Sequence, residues 1–497
     1  MSSLDHTGET AGKWAILALA GVAAFMTTLD ASIVNISLPA IAHTFGVALT
    51  GTIEWVIIGY LVVSGACLLS LGRLSDMIGR RPILLAGLVV FTLGSALCGA
   101  APTLPMLVAA RLFQGLGASL IFAVNLAMIS YAFPPSERGR ALGLNSVVVS
   151  LGVSVGPTIG GIITQALSWR WIFYVNVPVG AIAILAAARI LTERRRRDPG
   201  RFDPIGASLL ALGLAGLTLG LSFGQEWGWL SPRTVACVGA GVVGLVGGFF
   251  VEGRVPAPIV DLTLLKNRVF ASATVSFMVS QLALFAVGFL LPFYFEQLRG
   301  FTAEHAGLLL TPFSIAIGAT SPFSGALADR FGSRWLSPIG LAIAALGLLL
   351  LTQLNAHSSA FDVIWRLLVA GFGQAVFQSP NTRALMGAAP RSQQGAASGL
   401  LATGRTVGQS LSVAMAGAVF AILGGAAAGA ALTDASHPLS AARVAALQQT
   451  FLSGFRGAFL ICAACAVVGV LTSLVRGSGE ELESDAAAEA AAAMGHP

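Results

Sequence analysis

The sequence predicts an all-α polytopic membrane protein with about fourteen transmembrane helices. Hydrophobic residues make up 56% of the 497 residues and charged residues only 10%, whereas a typical soluble domain carries about 25% charged residues. Many apolar runs reach the roughly 20 residues that a helix needs to cross the hydrocarbon core. A charged turn at residues 72–81 returns at residues 325–334, where the two leading glycines are 253 positions apart. The chain is therefore expected to contain two copies of one helical unit.

Prolines and charges mark the ends of the apolar runs. Pro39 follows the first run, the charged turn follows the second, and Pro102 and Pro105 follow the third. The basic cluster Arg194–Arg197 follows the sixth. The predicted spans are residues 14–38, 51–71, 82–100, 106–130, 141–167, 171–191, 204–223, 234–251, 269–295, 306–326, 335–354, 363–386, 396–424 and 458–475.

These spans group as six, two and six. The predicted domains are a cytoplasmic N-terminal tail (1–13), an N-terminal six-helix bundle (14–192), a cytoplasmic linker with two extra transmembrane helices (193–258), a C-terminal six-helix bundle (259–476) and a cytoplasmic C-terminal tail (477–497). Because six spans plus two preserve the orientation, the two bundles are predicted to be parallel repeats. In transporters such repeats face each other across a central cavity.

Basic residues give the expected orientation, because loops on the cytoplasmic side carry an excess of Lys and Arg. Placing Arg194–Arg197 in the cytoplasm places most other loop arginines there as well. Those are Arg73, Arg80, Arg81, Arg138, Arg140, Arg268, Arg330, Arg334 and Arg391. The opposite side keeps Arg170, Arg233, Arg299, Arg443 and Arg456. We therefore expect a multi-pass protein of a bacterial inner (plasma) membrane with both termini in the cytoplasm.

Composition also argues against other classes. The formal charge of +6 is spread over loops on one side, which fits membrane topology and gives no footprint for a nucleic acid. The five cysteines lie in apolar runs and the six histidines are scattered, so no metal site and no catalytic cluster is predicted. The phosphate-binding string G-x-x-x-x-G-K-[ST] is absent from the sequence, which excludes a nucleotide-driven pump encoded by this chain. No cofactor is expected, and the energy source would be a proton gradient.

Ionisable residues within apolar spans are the first candidates for function, because each is costly to insert into a membrane. Asp30, Arg111 and Glu54 all lie in the outer part of the N-terminal bundle. Asp30 and Arg111 could form a structural salt bridge or a proton-exchange site, since a nearby cation favours the ionised carboxylate and desolvation favours the protonated one. Glu54 is interpreted equally as an interfacial residue or a proton relay. Arg405 is expected to face a cavity or a polar network.

Glycines of the fifth span form a second candidate. Gly152, Gly156, Pro157, Gly160 and Gly161 give the string G-x-x-x-G-P-x-x-G-G. Small residues four positions apart allow two helix backbones to approach closely, and a proline removes one backbone hydrogen bond. The second repeat keeps a glycine at the first of these positions but has Ser412 and Val413 at the next two, so the halves are not equivalent.

The charged turn is the third candidate, a cytoplasmic gating loop. It contains Gly72, Asp76, Gly79 and Arg80, and the second copy supplies Asp329. Gly79 permits a tight left-handed turn. A carboxylate at this place could bind a neighbouring helix N-terminus or an arginine across the domain interface. Such a contact could form in one conformation and be lost in another.

Several of these strings resemble the major facilitator superfamily, specifically its fourteen-span drug:proton antiporter branch of EmrB/QacA type. The resemblance covers nearly the whole chain. It is carried by residues 29–39, 72–81, 111–117 and 152–161, by Trp169–Phe173 with Asn176 and Pro178, and by Asp261–Leu262. It implies the major facilitator fold and alternating access driven by proton entry. By that analogy Asp30 and Arg111 couple proton movement to transport and Asp76 stabilises the outward-facing state.

The resemblance leaves the cargo open. It implies an antiporter that exports amphipathic or cationic small molecules, and the chain is expected to act as a monomer, with or without accessory efflux proteins. Glu54 and Glu296 stand where relatives often carry a neutral polar residue; they could favour cationic substrates, add a proton site, or be incidental. Glu296 is predicted, with Arg405, to be a polar residue of the cavity. The alternatives are a proton-coupled importer or a carrier of a metabolite, lipid or flavin. A membrane enzyme or channel is the alternative from another class.

Overall fold

The structure is a computed structural model, and it describes residues 5–47, 53, 55–191, 203–228, 230–255, 262–390, 393–433 and 440–475. The described N-terminal bundle consists of helices α1 (Asp5–Phe45), α2 (Trp55–Ala66), α3 (Leu68–Ile78), α4 (Arg80–Ala100), α5 (Leu104–Ala132), α6 (Pro135–Ala166), α7 (Trp171–Tyr174) and α8 (Asn176–Ile190). A central pair follows, α9 (Pro204–Trp227) and α10 (Pro232–Glu252). Arg194–Arg197 lie outside the described residues.

The described C-terminal bundle begins with a 3-10 turn at Leu262–Lys266. Its helices are α11 (Arg268–Phe293), which continues into a π-helical turn at Tyr294–Leu298, α12 (Ala303–Phe331), α13 (Leu336–Leu351), α14 (Ala360–Ala388), α15 (Gln394–Ile422), α16 (Gly425–Thr433) and α17 (Ala441–Leu474). The predicted all-helical fold is confirmed.

The described helices account for twelve or thirteen of the fourteen predicted membrane crossings. Twelve described helices are long and apolar enough to cross a bilayer, and α2 with α3 makes a thirteenth candidate bent by 46° at Cys67. The remaining predicted span, residues 335–354, contains α13, which has 16 residues. A helix of that length falls short of the roughly 20 residues that span the hydrocarbon core. The predicted count of fourteen is thus not established.

Two helices extend beyond their predicted ends. Helix α1 begins at Asp5, inside the segment predicted as an N-terminal tail, and α17 begins at Ala441 although the last span was predicted from Ala458. The Ser440 hydroxyl caps α17 by accepting a hydrogen bond from the backbone N–H of Arg443. Hydropathy gives the length of the apolar part of a helix, whereas helix-forming residues such as the alanines at the start of α17 continue the helix beyond it.

The internal repeat is visible in the way each bundle packs. Helices α4 and α5 touch at Gly94 and Gly117, where an added Cβ would clash with Gln114 and with the Phe91 backbone. Helices α13 and α14 touch in the same way at Gly347 and Gly373. The two bundles therefore repeat one close helix–helix contact, as the sequence offset predicts.

The extra pair α9–α10 lies across the seam between the bundles. Helix α9 packs against α2 of one bundle and α15 of the other. Leu210 and Leu214 share a buried apolar cluster with Ala66 and Leu69, and the partly buried Val407 packs against that cluster. The hairpin covers one side of the boundary between the two bundles.

Candidate functional site

A buried ion pair lies in the N-terminal bundle. The guanidinium of Arg111 on α5 donates a hydrogen bond from Nη1 to Oδ2 of Asp30 on α1, with the two atoms 2.5 Å apart. The side chain of Asp30 is 0% exposed and that of Arg111 is 1% exposed. The structure thus joins two residues that are 81 positions apart in the sequence.

Three polar side chains complete the hydrogen bonding of this pair. Gln114 Nε2 donates to Asp30 Oδ1 (2.9 Å) and to the Ser95 hydroxyl (2.9 Å), while Arg111 Nη1 donates to Gln114 Oε1 (2.6 Å). Asn176 Nδ2 also donates to Asp30 Oδ1, over 3.2 Å. Both carboxylate oxygens therefore accept hydrogen bonds, which offsets part of the cost of burying a charge.

Aromatic rings close the site around the guanidinium. The guanidinium carbon of Arg111 lies 4.2 Å from the ring centroid of Tyr60 and 5.6 Å from that of Phe173, and Nε donates to the carbonyl oxygen of Val56 over 2.8 Å. A charge held in this way is stable only while its counter-charge remains, because removing one partner of a buried pair leaves the other uncompensated. Protonation of Asp30 would have that effect without any mutation.

Glu54, the third residue predicted to take part in proton coupling, lies outside the described residues. Its role stays a prediction.

The glycine motif of α6 packs against the segment of α1 that carries Asp30. A Cβ on Gly152 would clash with the Thr28 hydroxyl, one on Gly156 with the Ser32 hydroxyl, and one on Gly160 would come 2.7 Å from the Ile33 side chain. The Ser32 hydroxyl also donates a hydrogen bond to the Gly152 carbonyl oxygen (3.0 Å). The two backbones are therefore as close as a glycine surface allows.

Gly161 does not take part in this contact. An added Cβ on Gly161 meets no atom within 4 Å. The side chain of Pro157 lies outside what the structure describes, although α6 is assigned as one helix through that position.

Gly156→Ala is expected to lower transport or raise proton leak, because the new methyl group must push α6 away from Ser32 and so shift the helix that holds Asp30. The measurement is proton leak and substrate flux in proteoliposomes at matched protein content. Gly161→Ala is the control on the same helix, since its methyl group enters open space. Equal leak and flux in both variants would make the motif a packing feature only.

Asp76 links the two bundles at the end of the molecule that carries the charged turns, which we call the gate end. Its carboxylate oxygens accept hydrogen bonds from the backbone N–H groups of Gly395 (2.8 Å) and Ala396 (2.9 Å), in the first turn of α15. Arg80 Nη2 lies 4.0 Å from Asp76 Oδ1. A carboxylate at a helix N-terminus binds free N–H groups and is favoured by the helix dipole.

Asp329 makes the mirror-image contact. Its two carboxylate oxygens accept from the backbone N–H groups of Gly139 and Arg140 in α6, each over 2.8 Å, and Arg383 Nε donates to Oδ1 over 2.7 Å. Each charged turn thus holds a helix of the opposite bundle near its start.

Glycines allow this approach at both crossings. A Cβ added to Gly72 would lie 2.6 Å from the Gly395 carbonyl oxygen, and one added to Gly325 would clash with the Gly139 carbonyl oxygen. Gly79 adopts a φ of 105°, in the region that favours glycine, and separates α3 from α4. The two bundles are in contact at the gate end.

A small cavity of about 20 Å³, room for about one water molecule, lies between the bundles and further from the gate end. Its lining residues are Leu126, Leu142, Asn145, Ser146, Val149, Phe277, Gln378, Thr382 and Arg405. The first five belong to the N-terminal bundle and the other four to the C-terminal bundle. Arg405 lies 11 residues along α15 from Gln394, about 16 Å from the gate end at 1.5 Å per residue.

The structure places Glu296 elsewhere. This residue, predicted to be a polar residue of the cavity, is exposed in the π-helical turn that follows α11, at the end of the bundle opposite to the gate end. The span was predicted to end at residue 295, whereas α11 ends at Phe293 and Glu296 lies in the turn that continues it. It does not contribute to the lining described above.

Comparison with known proteins decides the family. The model of the Major Facilitator Superfamily matches residues 20–412 and 273–494, overlapping ranges that between them cover most of the chain. The chain belongs to the Major Facilitator Superfamily. This membership makes it a multi-pass membrane protein and indicates a transporter rather than an enzyme.

Two relatives with at least 33% identity are named for drug resistance and for transport. The multidrug resistance protein Stp of Mycobacterium tuberculosis is 35% identical over 402 residues, which cover 81% of this chain and 74% of that protein. The riboflavin transporter RibZ of Clostridioides difficile is 33% identical over 410 residues, covering 82% and 88% respectively. Among solved structures, a double Trp mutant of XylE superposes with a TM-score of 0.65 at 15% identity, covering 95% of this chain and 98% of that one, so the major facilitator fold is confirmed.

Some residues of the site were not found by sequence reasoning. Tyr60 contacts Arg111, Ser95 accepts from Gln114 and Asn176 beside the ion pair, and Arg383 contacts Asp329, but none of the three was singled out. Arg383 carried a usable signal, because a cation near the end of an apolar span calls for a partner. Ser95 and Tyr60 gave none, since serine and tyrosine are common inside transmembrane helices.

Proposed function

We propose that this protein is a proton-coupled antiporter that exports amphipathic small molecules, drugs among them, by alternating access. The observation that carries this proposal is the fully buried Asp30–Arg111 pair, held within a bundle whose helix α1 packs on the glycine face of α6. A salt bridge with only a structural role would not require α1 to pack against the glycines of α6. The family and the multidrug relative Stp support the same class of activity.

The coupling step follows from the geometry of the pair. In the arrangement described here the Asp30 carboxylate accepts hydrogen bonds from Arg111, Gln114 and Asn176. Proton binding would remove its charge and leave Arg111 facing aromatic rings with an uncompensated charge. Movement of α1 along α6 would then let Arg111 and Asp30 reach new partners. The same proton would leave when the original arrangement returns.

We place the gate end and both termini in the cytoplasm. Opening and closing of the gate end would give the cavity access to the cytoplasm in alternation with the opposite side. Asp76 and Asp329 hold the bundles together there, so the described arrangement corresponds to a protein closed toward the cytoplasm. Because these contacts are a few hydrogen bonds from side chains to backbone N–H groups near the starts of two helices, they can break and reform without unfolding either bundle. The chain would act in a bacterial plasma membrane as a monomer, with or without accessory efflux proteins.

The test is transport by the purified protein in proteoliposomes with an imposed pH gradient of each sign. The panel contains fluorescent cations, anions and neutral amphipathic compounds, and riboflavin. We expect at least one amphipathic compound to move against the direction of proton flow and to stop when an ionophore dissipates the gradient. Movement in the same direction as protons, or movement indifferent to the gradient, would contradict antiport.

Carriage of a flavin is the second candidate function. The observation in its favour is the riboflavin transporter RibZ, which is similar over 82% of this chain. Riboflavin moving alone out of the whole panel would support this candidate over drug export.

A further inference from the structure

One cation faces the cavity between the bundles without a counter-charge. Arg405 is half-buried, and within the described part of the chain its one recorded interaction is with the ring of Phe277, whose centroid lies 6.0 Å from the guanidinium carbon. Two other arginines of the described helices each have a carboxylate partner. Arg111 pairs with Asp30, and Arg383 pairs with Asp329.

A second lining residue is also unsatisfied. Asn145 on α6 is 4% exposed, and its Oδ1 has no hydrogen-bond partner among the described residues. It lines the same cavity from the opposite bundle. A buried carbonyl oxygen without a donor is costly unless a ligand or water supplies one. Within the described residues, a cation without a counter-charge on one wall and an acceptor without a donor on the other therefore face the same space.

The rest of the lining is mainly apolar. Leu126, Leu142, Val149 and Phe277 provide hydrophobic contact, and the carboxylates of the gate, Asp76 and Asp329, are already bonded to backbone N–H groups. Among the lining residues Arg405 is the one that carries a charge, so the cavity is positive. An amphipathic cation would have to approach this guanidinium at membrane depth without a carboxylate beside it.

We propose that Arg405 binds the anionic group of the transported molecule, so that the substrates are amphipathic acids: an apolar or aromatic body with a carboxylate, sulfonate or phenolate. This inference rests on the proposed transport function and narrows its cargo. A guanidinium binds such an oxyanion through two parallel N–H donors, an arrangement that lysine cannot reproduce. Because the described space holds only about 20 Å³, the molecule enters when the bundles move apart, and the apolar lining then contacts its body. The Asn145 carbonyl oxygen is placed to accept from a hydroxyl or N–H substituent of that body.

The internal repeat provides a matched position on the other wall. Val149 lies 256 residues before Arg405, at the equivalent place in the first repeat, and it lines the same cavity. The cation can therefore be moved from one wall to the other by the double substitution Arg405→Val and Val149→Arg. If Arg405 only packs against its neighbours, the exchange should not restore its effect. If it attracts an anion in the cavity, an arginine on the opposite wall should restore that attraction.

The experiment measures binding to the purified full-length protein in detergent, with no proton gradient. The probes are anthracene-9-carboxylate and its neutral amide, which share one aromatic body. We expect Arg405→Gln to weaken binding of the acid about tenfold or more, the effect of losing a charge-assisted hydrogen bond, and to change binding of the amide less than about twofold. Arg405→Lys should keep part of the affinity for the acid, and the wall exchange should restore preference for the acid over the amide.

Arg366→Gln is the control, because this arginine of the same bundle bonds Asp362 and the Leu350 carbonyl oxygen away from the cavity. It should leave both probes unaffected. Equal weakening of acid and amide in Arg405→Gln, or no change with either, would overturn the inference, as would displacement of the acid by millimolar chloride, which would indicate a site for small inorganic anions. Binding is measured without a gradient, so its result is independent of the transport test. If export is driven by the pH gradient but Arg405 has no role in binding, only the inference about Arg405 is wrong. If binding depends on Arg405 but transport does not depend on the gradient, only the proposed proton coupling is wrong.

Discussion

Asp30→Asn is expected to abolish pH-gradient-driven efflux. Asparagine has nearly the same shape as aspartate and can still bond Gln114, but it cannot bind and release a proton at neutral pH. The measurement is efflux from proteoliposomes under an imposed gradient, compared with exchange of substrate across the membrane with no gradient. Driven efflux should fall to the background of protein-free vesicles, while exchange persists because the cavity residues are unchanged.

The variant leaves Arg111 without its counter-charge, and breaking a buried pair costs about 3–5 kcal/mol of stability. The double variant Asp30→Asn with Arg111→Gln removes both charges and should restore the yield of folded protein without restoring driven efflux. Asp362→Asn is the matched control, since that exposed carboxylate bonds only residues of its own helix and its cap. Driven efflux that survives in the double variant would show that the pair is structural.

Asp76→Ala is expected to open the gate end and to slow transport severely. The substitution removes both hydrogen bonds to the start of α15. At about 1.5 kcal/mol or more for each bond to a charged group, the equilibrium between closed and open gate should shift by a factor of about 100. The measurement is the rate at which a membrane-impermeant thiol reagent, added from the cytoplasmic side, labels a Ser146→Cys residue placed in the cavity.

The labelling is done in protein from which the five native cysteines have been removed. Asp329→Ala should act in the same direction, because it removes the mirror contact to α6 together with the partner of Arg383. Asp362→Ala, at the opposite end of the C-terminal bundle, should label like the parent. If Asp76→Ala labels no faster than this control, the Asp76 contact does not hold the gate closed.

Two features of the site could be predicted from the sequence, because each depends on a local property of the chain. An acid and an arginine inside apolar spans demand partners, so Asp30 and Arg111 could be singled out, and glycines four positions apart allow close helix contact. What they contact could not be read in advance. The glycines of α6 could have met any helix, and the structure shows that they meet α1 at the residues on either side of Asp30.

The gate shows the same division. The charged turn and its repeat were visible as a string, and two kinds of partner for Asp76 were considered. The choice of a helix N-terminus over an arginine came from the crossing of α3 and α15 at Gly72 and Gly395, residues more than 300 positions apart. Glu296 shows what the sequence could not predict. It was expected in the cavity, but it lies exposed in the π-helical turn after α11.

By itself the sequence determined the all-helical membrane fold, the repeat and the residues that are expensive to bury. Each of these depends on local quantities: the length of an apolar run, a repeated string, or the insertion cost of one charge. Only the tertiary structure decided that Gln114 and Asn176 bond the buried Asp30–Arg111 pair and that each gate carboxylate binds backbone N–H groups near the start of a helix of the opposite bundle. It also decided that Arg405 faces the cavity with no counter-charge among the described residues. Those outcomes depend on which helices become neighbours, and that is fixed by the packing of whole bundles.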